Sequence, residues 1–313
     1  MNLQKREIHL SDRIFYWVLK GLAFGLVGLL LAFVYELYKM SLPALHEFGV
    51  SFFFTKDWNP VTEKFGALSF IFGTLYSSLV ALVISVPVSI ATALFLNGVG
   101  PRRIRKAVSF LVEMLAAIPS VVYGLWGIFV LCPWLRSSVE PFLGNYLGFL
   151  PLFQGPPYGI GMLAAGVILA IMITPTITAV CREVFAMISP TYTEAAFALG
   201  ATRWEAIVLA ILKNTKAGIL GAVVLGLGRA LGETMAVTMV IGNRTDIGLS
   251  LFSPSQTMAS VIANEYAEAT ADVHLASLAA IGLALFFVSL VINALARLVV
   301  LSLDKGNRGR SWS

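Results

Sequence analysis

Charge is scarce in this sequence. Asp, Glu, Lys and Arg make up 12% of its 313 residues, against about 25% in soluble domains. Cysteine is limited to Cys132 and Cys181, too few for a disulfide or Cys-based metal framework. Histidine is limited to His9, His46 and His274, far apart in sequence, so no metal site is expected. No Gly-x-x-x-x-Gly-Lys-Ser/Thr loop is present to hold ATP. What fills the sequence instead is apolar: 58% of residues are hydrophobic. A soluble fold of this length could not hide that much apolar surface, so lipid must be part of the solvent. The net charge of +5 does not point to nucleic acid, because the basic residues cluster between apolar runs, which is a topology signal.

About 20 mainly apolar residues carry a helix across about 30 Å of hydrocarbon. Six segments qualify: Trp17–Tyr38, Phe70–Phe95, Ala107–Leu131, Ile160–Val180, Gly218–Ile241 and Leu275–Leu301. The first reads as a retained signal-anchor, since it is long enough to span and lacks a small-x-small cleavage site. Pro87, Pro119 and Pro175 fall inside spans two, three and four, where neighbouring helices can satisfy the freed carbonyls. The expectation is an all-α integral membrane protein with six transmembrane helices.

Lys and Arg set the orientation. Sixteen of them fall at the two ends (Lys5 and Arg6 among them at one, Arg297, Lys305, Arg308 and Arg310 at the other) and in the loops after spans two and four. Five fall in the alternate loops, and Arg229 belongs to neither side. Such strict alternation predicts cytoplasmic amino and carboxyl termini. The outer loops are expected at 40–66, 133–159 and 243–274, none large enough for a catalytic domain of its own. The expected division is 1–66 for the amino-terminal segment, first helix and first outer loop, 67–303 for the transmembrane core, and 304–313 for a cytoplasmic tail.

Two stretches carry chemistry. In the inner loop between spans four and five, Thr191 with Glu194 and Thr202 with Glu205 have capping-box spacing, and Gly200 sits where a helix should stop. This predicts two short helices joined by a sharp turn, a cytoplasmic elbow. The small side chains Ala195, Ala196 and Ala198 would let another protein approach closely. In span five, Arg229 lies roughly 18 Å deep, near the bilayer centre, where a lone Arg costs about 2.5–3.5 kcal/mol. Glu233, one helical turn on, is expected to pair with it. Gly226, Gly228 and Gly232 leave the helix bare beside the pair, which permits close helix packing or access for an anion. A guanidinium holds a tetrahedral oxyanion through two parallel hydrogen bonds. Arg229 is then either a way-station for an anion or a structural ion pair. Glu113, about 9 Å into span three, is a lesser candidate.

The inner loop resembles the EAA motif of ABC importer permeases through Glu194, Ala195, Ala196, Gly200 and Leu212; Lys213 stands where many members have Pro. From about Gly66 to Leu301 the chain is similar to PstC-type permeases, membrane subunits of phosphate ABC importers. The matching residues are Ala117 to Gly127 around Pro119, Gly228 to Val237 around Arg229, and Asp57 to Pro60. The resemblance implies a type I importer permease core in the bacterial inner membrane, with no catalytic residue, metal or cofactor of its own. It implies a second, PstA-type permease, two ATP-binding subunits and a periplasmic phosphate-binding protein as partners. The elbow would couple to the ATPase, and Arg229, Glu233, Gly228 and Gly232 would line the translocation path. Sulfate or molybdate is the alternative cargo, and a secondary anion transporter or a channel a more distant reading. Drawing one negative charge into a cell held at 100 mV costs about 2.3 kcal/mol, so accumulation of phosphate needs a driving partner.

Overall fold

The computed structural model describes residues 10–308. Lys5, Arg6, His9 and Arg310 lie outside the described residues, as does the end of the expected tail. Among the described residues the secondary structure is helical, with two isolated β-bridges and no strand. Helix α1 spans Leu10–Phe48, α2 Leu68–Val99, α3 Arg102–Ala117, α4 Ser120–Leu147 and α5 Met162–Ala186. The elbow is α6 Pro190–Ala198 and α7 Arg203–Leu212. Then follow α8 Lys216–Leu231, α9 Met235–Val240, α10 Met258–Glu265 and α11 Asp272–Arg308.

Five helices are long and apolar enough to cross a membrane: α1, α2, α4, α5 and α11. A sixth crossing is obtained when α7 and α8, bent by 73° at their junction, count as one broken span. Helix α5 is the centre of the bundle. Its Ile168, Leu169, Ile173 and Ile177 are fully buried, and it packs on α2, α8, α3 and α9. Gly166 makes the α2–α5 approach possible, since a Cβ there would meet Val80 at 2.4 Å. A second apolar cluster ties the segment between α1 and α2 to the bundle through Phe52, Phe65, Phe70, Met258 and Ile281. Helix α1 lies along α11 and leaves its apolar length exposed.

Span three is not the single helix Ala107–Leu131. The chain breaks at Ile118, which is extended (ψ 128°), and Pro119 starts α4. Proline cannot donate to the preceding turn and disfavours helix at the residue before it. The Tyr123 hydroxyl pins the break by donating to the Leu115 carbonyl at 2.8 Å. Helix α4 then runs to Leu147 through two widened turns, taking up much of the expected outer loop 133–159. Span five also differs from Gly218–Ile241: α8 stops after Leu231, and Gly232–Thr234 separate it from α9. Pro87 and Pro175 do lie within continuous helices.

Candidate translocation site

Arg229 occupies the last turn of α8. The carbonyl end of a helix carries partial negative charge, so a guanidinium is favoured there. The break after Leu231 thus supplies part of what offsets the cost of placing this charge in an apolar span. The side chain is exposed and Nη1 donates to Thr176 Oγ1 of α5 at 3.1 Å. The expected Arg229–Glu233 ion pair is absent; among the described residues the ion pair is Glu265–His274. The helical repeat that would place Glu233 one turn above Arg229 ends at Gly232 (φ −95°, ψ 1°). Glu233 instead turns to α9, where Oε1 accepts from the Ala236 amide at 3.4 Å.

Arg229 opens onto a cavity of about 550 Å³, walled by α5, α8 and α11 through Thr176, Gly221, Val224, Gly228 and Asn293. Small-ligand sites are commonly about 300–1,000 Å³ with few polar groups. Gly228 keeps the wall low: the nearest foreign atom to a Cβ built there is Asn293 Oδ1 at 4.0 Å. Gly232 has no atom closer than 3.8 Å to such a Cβ and lies at the break. Gly226 differs, because a Cβ there would stand 2.7 Å from Ile177, so it serves close packing of α8 on α5. The structure therefore brings Arg229 and Gly228 together, and turns Glu233 to a different helix. Sequence reasoning missed Thr176, Gly221 and Asn293. The signal for Thr176 and Asn293 was a polar side chain inside an apolar run, which is weak for residues that also cap and pack.

The elbow is built as two short helices. Ser189, not Thr191, caps the first, its Oγ accepting from the Thr191 amide, because Pro190 takes the first helical position and fixes the start. Thr191 and Glu194 thus form no capping box. Gly200 is left-handed at φ +85°, the conformation a helix stop demands and glycine adopts without strain. Thr202 and Glu205 form the expected box: Thr202 N–H and Oγ1 each lie 2.8 Å from Glu205 Oε2. These donors hold the Glu205 carboxyl below its usual range. The exit bends although Lys213 replaces proline. Asn214 Nδ2 donates to the Ala210 carbonyl and Thr215 Oγ1 to that of Ile211, ending the helix from its side chains. Glu194 and Ala195 are exposed and Ala196 half-buried. Beside them Tyr192, Phe197 and Trp204 are exposed and Leu199 is 90% exposed, an apolar surface unusual in a soluble loop.

Glu113, on α3, accepts from Ser109 Oγ at 3.1 Å, and Ser109 in turn accepts from Arg182 Nη1 at 2.8 Å. It joins α3 to the inner end of α5 and does not reach the cavity. At the end of the bundle away from the elbow, Trp58 Nε1 and His274 Nε2 both lie 2.9 Å from Glu265 Oε2, fastening the loop between α1 and α2 to α10 and α11.

The sequence family "Binding-protein-dependent transport system inner membrane component" matches residues 85–306. Over 303 residues the chain is 45% identical to the phosphate transport system permease protein PstC of Mesorhizobium japonicum, covering 96% of this chain and 93% of that one. It is 39% identical to the probable phosphate transport system permease protein PstC of Methanocaldococcus jannaschii over 81% of this chain and 82% of that one. Among solved structures, a chain of a bacterial alginate ABC transporter superposes with a TM-score of 0.61 at 20% identity, covering 93% of this chain and 96% of that one. A chain of the inward-facing MetNI methionine ABC transporter gives a TM-score of 0.51 at 18% identity, covering 74% and 91%. At these identities the solved structures establish the fold alone.

Proposed function

This chain belongs to the binding-protein-dependent transport system inner membrane component family, and from that premise we propose that Arg229 is the way-station of its cargo. The chain is a permease subunit of a phosphate ABC importer in the inner membrane, a transport subunit and not an enzyme. Membership entails an ATPase and a binding protein as partners. Finer assignments are ours: a PstA-type second permease, two ATP-binding subunits, cytoplasmic termini, and a core at 67–303.

The observation that carries the reading of Arg229 is its exposed guanidinium at the wall of a cavity between three helices. A purely structural ion pair would be closed by its partner, and among the described residues Arg229 has no acidic partner. It presents donors to the cavity, the geometry an oxyanion needs. A transient site must bind and release, and Thr176 supplies a neutral acceptor to which the guanidinium can return when the anion leaves. Glu233, half-buried beside the break, places a negative charge near the path and opposes permanent capture. Gly228 and Gly232 keep the approach open.

The elbow is the coupling element in this reading. Its exposed apolar side chains, together with Glu194 and the small residues Ala195, Ala196 and Gly200, suit a groove of the ATP-hydrolysing partner. A displacement of α6 passes through α7 and the 73° bend into α8, the helix that carries Arg229. Alternating access follows: the loaded binding protein docks outside, ATP binding moves the elbow, and α8 shifts relative to α5 and α11. Vesicles containing the whole complex test this. Phosphate should accumulate above its external concentration when ATP and loaded binding protein are supplied, and not without ATP. Equilibration without ATP would identify a channel instead.

A further inference from the structure

Asn293 stands on α11 at the wall of the Arg229 cavity. Its Nδ2 donates to the Ser289 carbonyl, 2.8 Å away and one turn back on the same helix. A backbone carbonyl only accepts, so this bond fixes which amide atom lies on which side. Oδ1 is turned away from its own helix and lies 4.0 Å from where a Cβ on Gly228 would stand. Gly228 and Arg229 are neighbours on α8. The cavity wall therefore carries two groups of opposite hydrogen-bonding sense: a guanidinium that only donates and an amide oxygen that only accepts. Thr176 adds a hydroxyl whose oxygen already accepts from Arg229, leaving its hydrogen free to donate.

An acceptor in an anion site acts as a discriminator. A fully ionised oxyanion meets it with lone pairs alone, and the two repel. An oxyanion that keeps a hydroxyl gives it a hydrogen bond. Phosphate retains at least one P–OH at neutral pH, while sulfate carries no proton. Sites built to hydrogen-bond a substrate hydroxyl strongly reject analogues that lack it, because rejection comes from the unpaired or repelling group as much as from the lost contact. We propose that Asn293 Oδ1 reads the proton on the travelling oxyanion, so that Asn293 is a specificity-determining residue for hydrogenphosphate over sulfate. This rests on the reading of Arg229 as the anion site and adds a second level of selection inside the membrane, after the binding protein.

The test bypasses the binding protein. Radiolabelled inorganic phosphate and radiolabelled sulfate are bound separately to the purified complex of permeases and ATPase, as wild type and as Asn293→Leu, Asn293→Asp and Arg229→Gln. Wild type should hold phosphate at least about tenfold more tightly than sulfate, the scale of one hydrogen bond to a charged ligand. Asn293→Leu should lower phosphate affinity and, with the repelling oxygen gone, raise sulfate affinity, so that the ratio falls at least about tenfold. Asn293→Asp, which keeps an acceptor, should retain the preference; a merely structural role for the side chain would not move the ratio in either variant. A wild-type ratio in Asn293→Leu overturns the role of Asn293 and leaves Arg229 untouched. So does a wild type that binds both anions equally. Normal phosphate binding by Arg229→Gln overturns the underlying site instead.

Discussion

Two glycines on the same helix, two residues apart, separate packing from passage. Gly226→Val would drive a side chain into Ile177, which is buried, with atoms already at 2.7 Å from the bare Cβ position. Overpacking of this kind costs about 1–3 kcal/mol, so the thermal midpoint of the purified complex should fall. Gly228→Val meets only an ordinary contact, Asn293 Oδ1 at 4.0 Å from its Cβ, so the complex should keep its thermal midpoint, while uptake drops at least about tenfold because the cavity wall closes toward Arg229, a loss of the size a misplaced or blocked binding contact gives. The opposite pattern would show that Gly228 packs and Gly226 does not. At this scale the sequence singled out Arg229, because an ionised group in an apolar run needs either a structural partner or a role. It misdirected the reading of Glu233. A Gly-x-x-x-Gly spacing within a continuous apolar stretch predicts an unbroken helix, and Gly232, where the stop falls that carries Glu233 to the next helix, reads equally as one half of that packing motif.

Elements differ in how openly they declare themselves. Most of the elbow was legible, since Gly200, Thr202 and Glu205 act through local backbone bonds between neighbours in sequence. Its first cap was not, because Ser189 and Thr191 are both good caps two residues apart and Pro190, at the first helical position, decides for Ser189. The break at Ile118–Pro119 was legible as a kink but not as an end, for whether a proline bends or severs a span depends on what neighbouring side chains such as Tyr123 supply. Gly200→Val should strain the turn, since a β-branched residue resists positive φ. The expected outcome is a complex that still hydrolyses ATP but no longer raises its rate with phosphate-loaded binding protein. The cap at Glu205 has a definite pH sense. Its folded carboxyl is held low by Thr202, so its contribution is present above the usual glutamate range and is lost as pH falls through the folded value. The protection of the 203–206 amides, taken relative to the intrinsic exchange rate at each pH, should therefore fall on acidification, and Glu205→Gln should remove that dependence.

The whole molecule was readable where one physical rule governs. Hydrophobic length gave the crossings, apart from the third and fifth, where broken helices blur the count, and the distribution of Lys and Arg predicts which loops face inward. Orientation has a direct check. The two native cysteines are buried, so a thiol introduced at the surface reports alone. Asp246→Cys, at the wall of a cavity with Trp58 and Lys64, should react with a membrane-impermeant maleimide in intact cells. Lys213→Cys, at the exit of the elbow, should react only after the membrane is opened. The reverse pattern would invert the topology. What the sequence could not supply at this scale was the cavity itself, because Thr176, Arg229 and Asn293 come from three helices and meet only through packing around α5.

ATP-driven phosphate uptake by reconstituted complexes carrying Arg229→Gln, with Arg229→Lys beside it, reaches the central claim most directly. Both complexes should assemble at wild-type yield; the glutamine form should accumulate no phosphate, and the lysine form, which keeps the charge but not the two parallel donors, should accumulate far less than wild type. Wild-type accumulation by the glutamine form would contradict the account of this subunit.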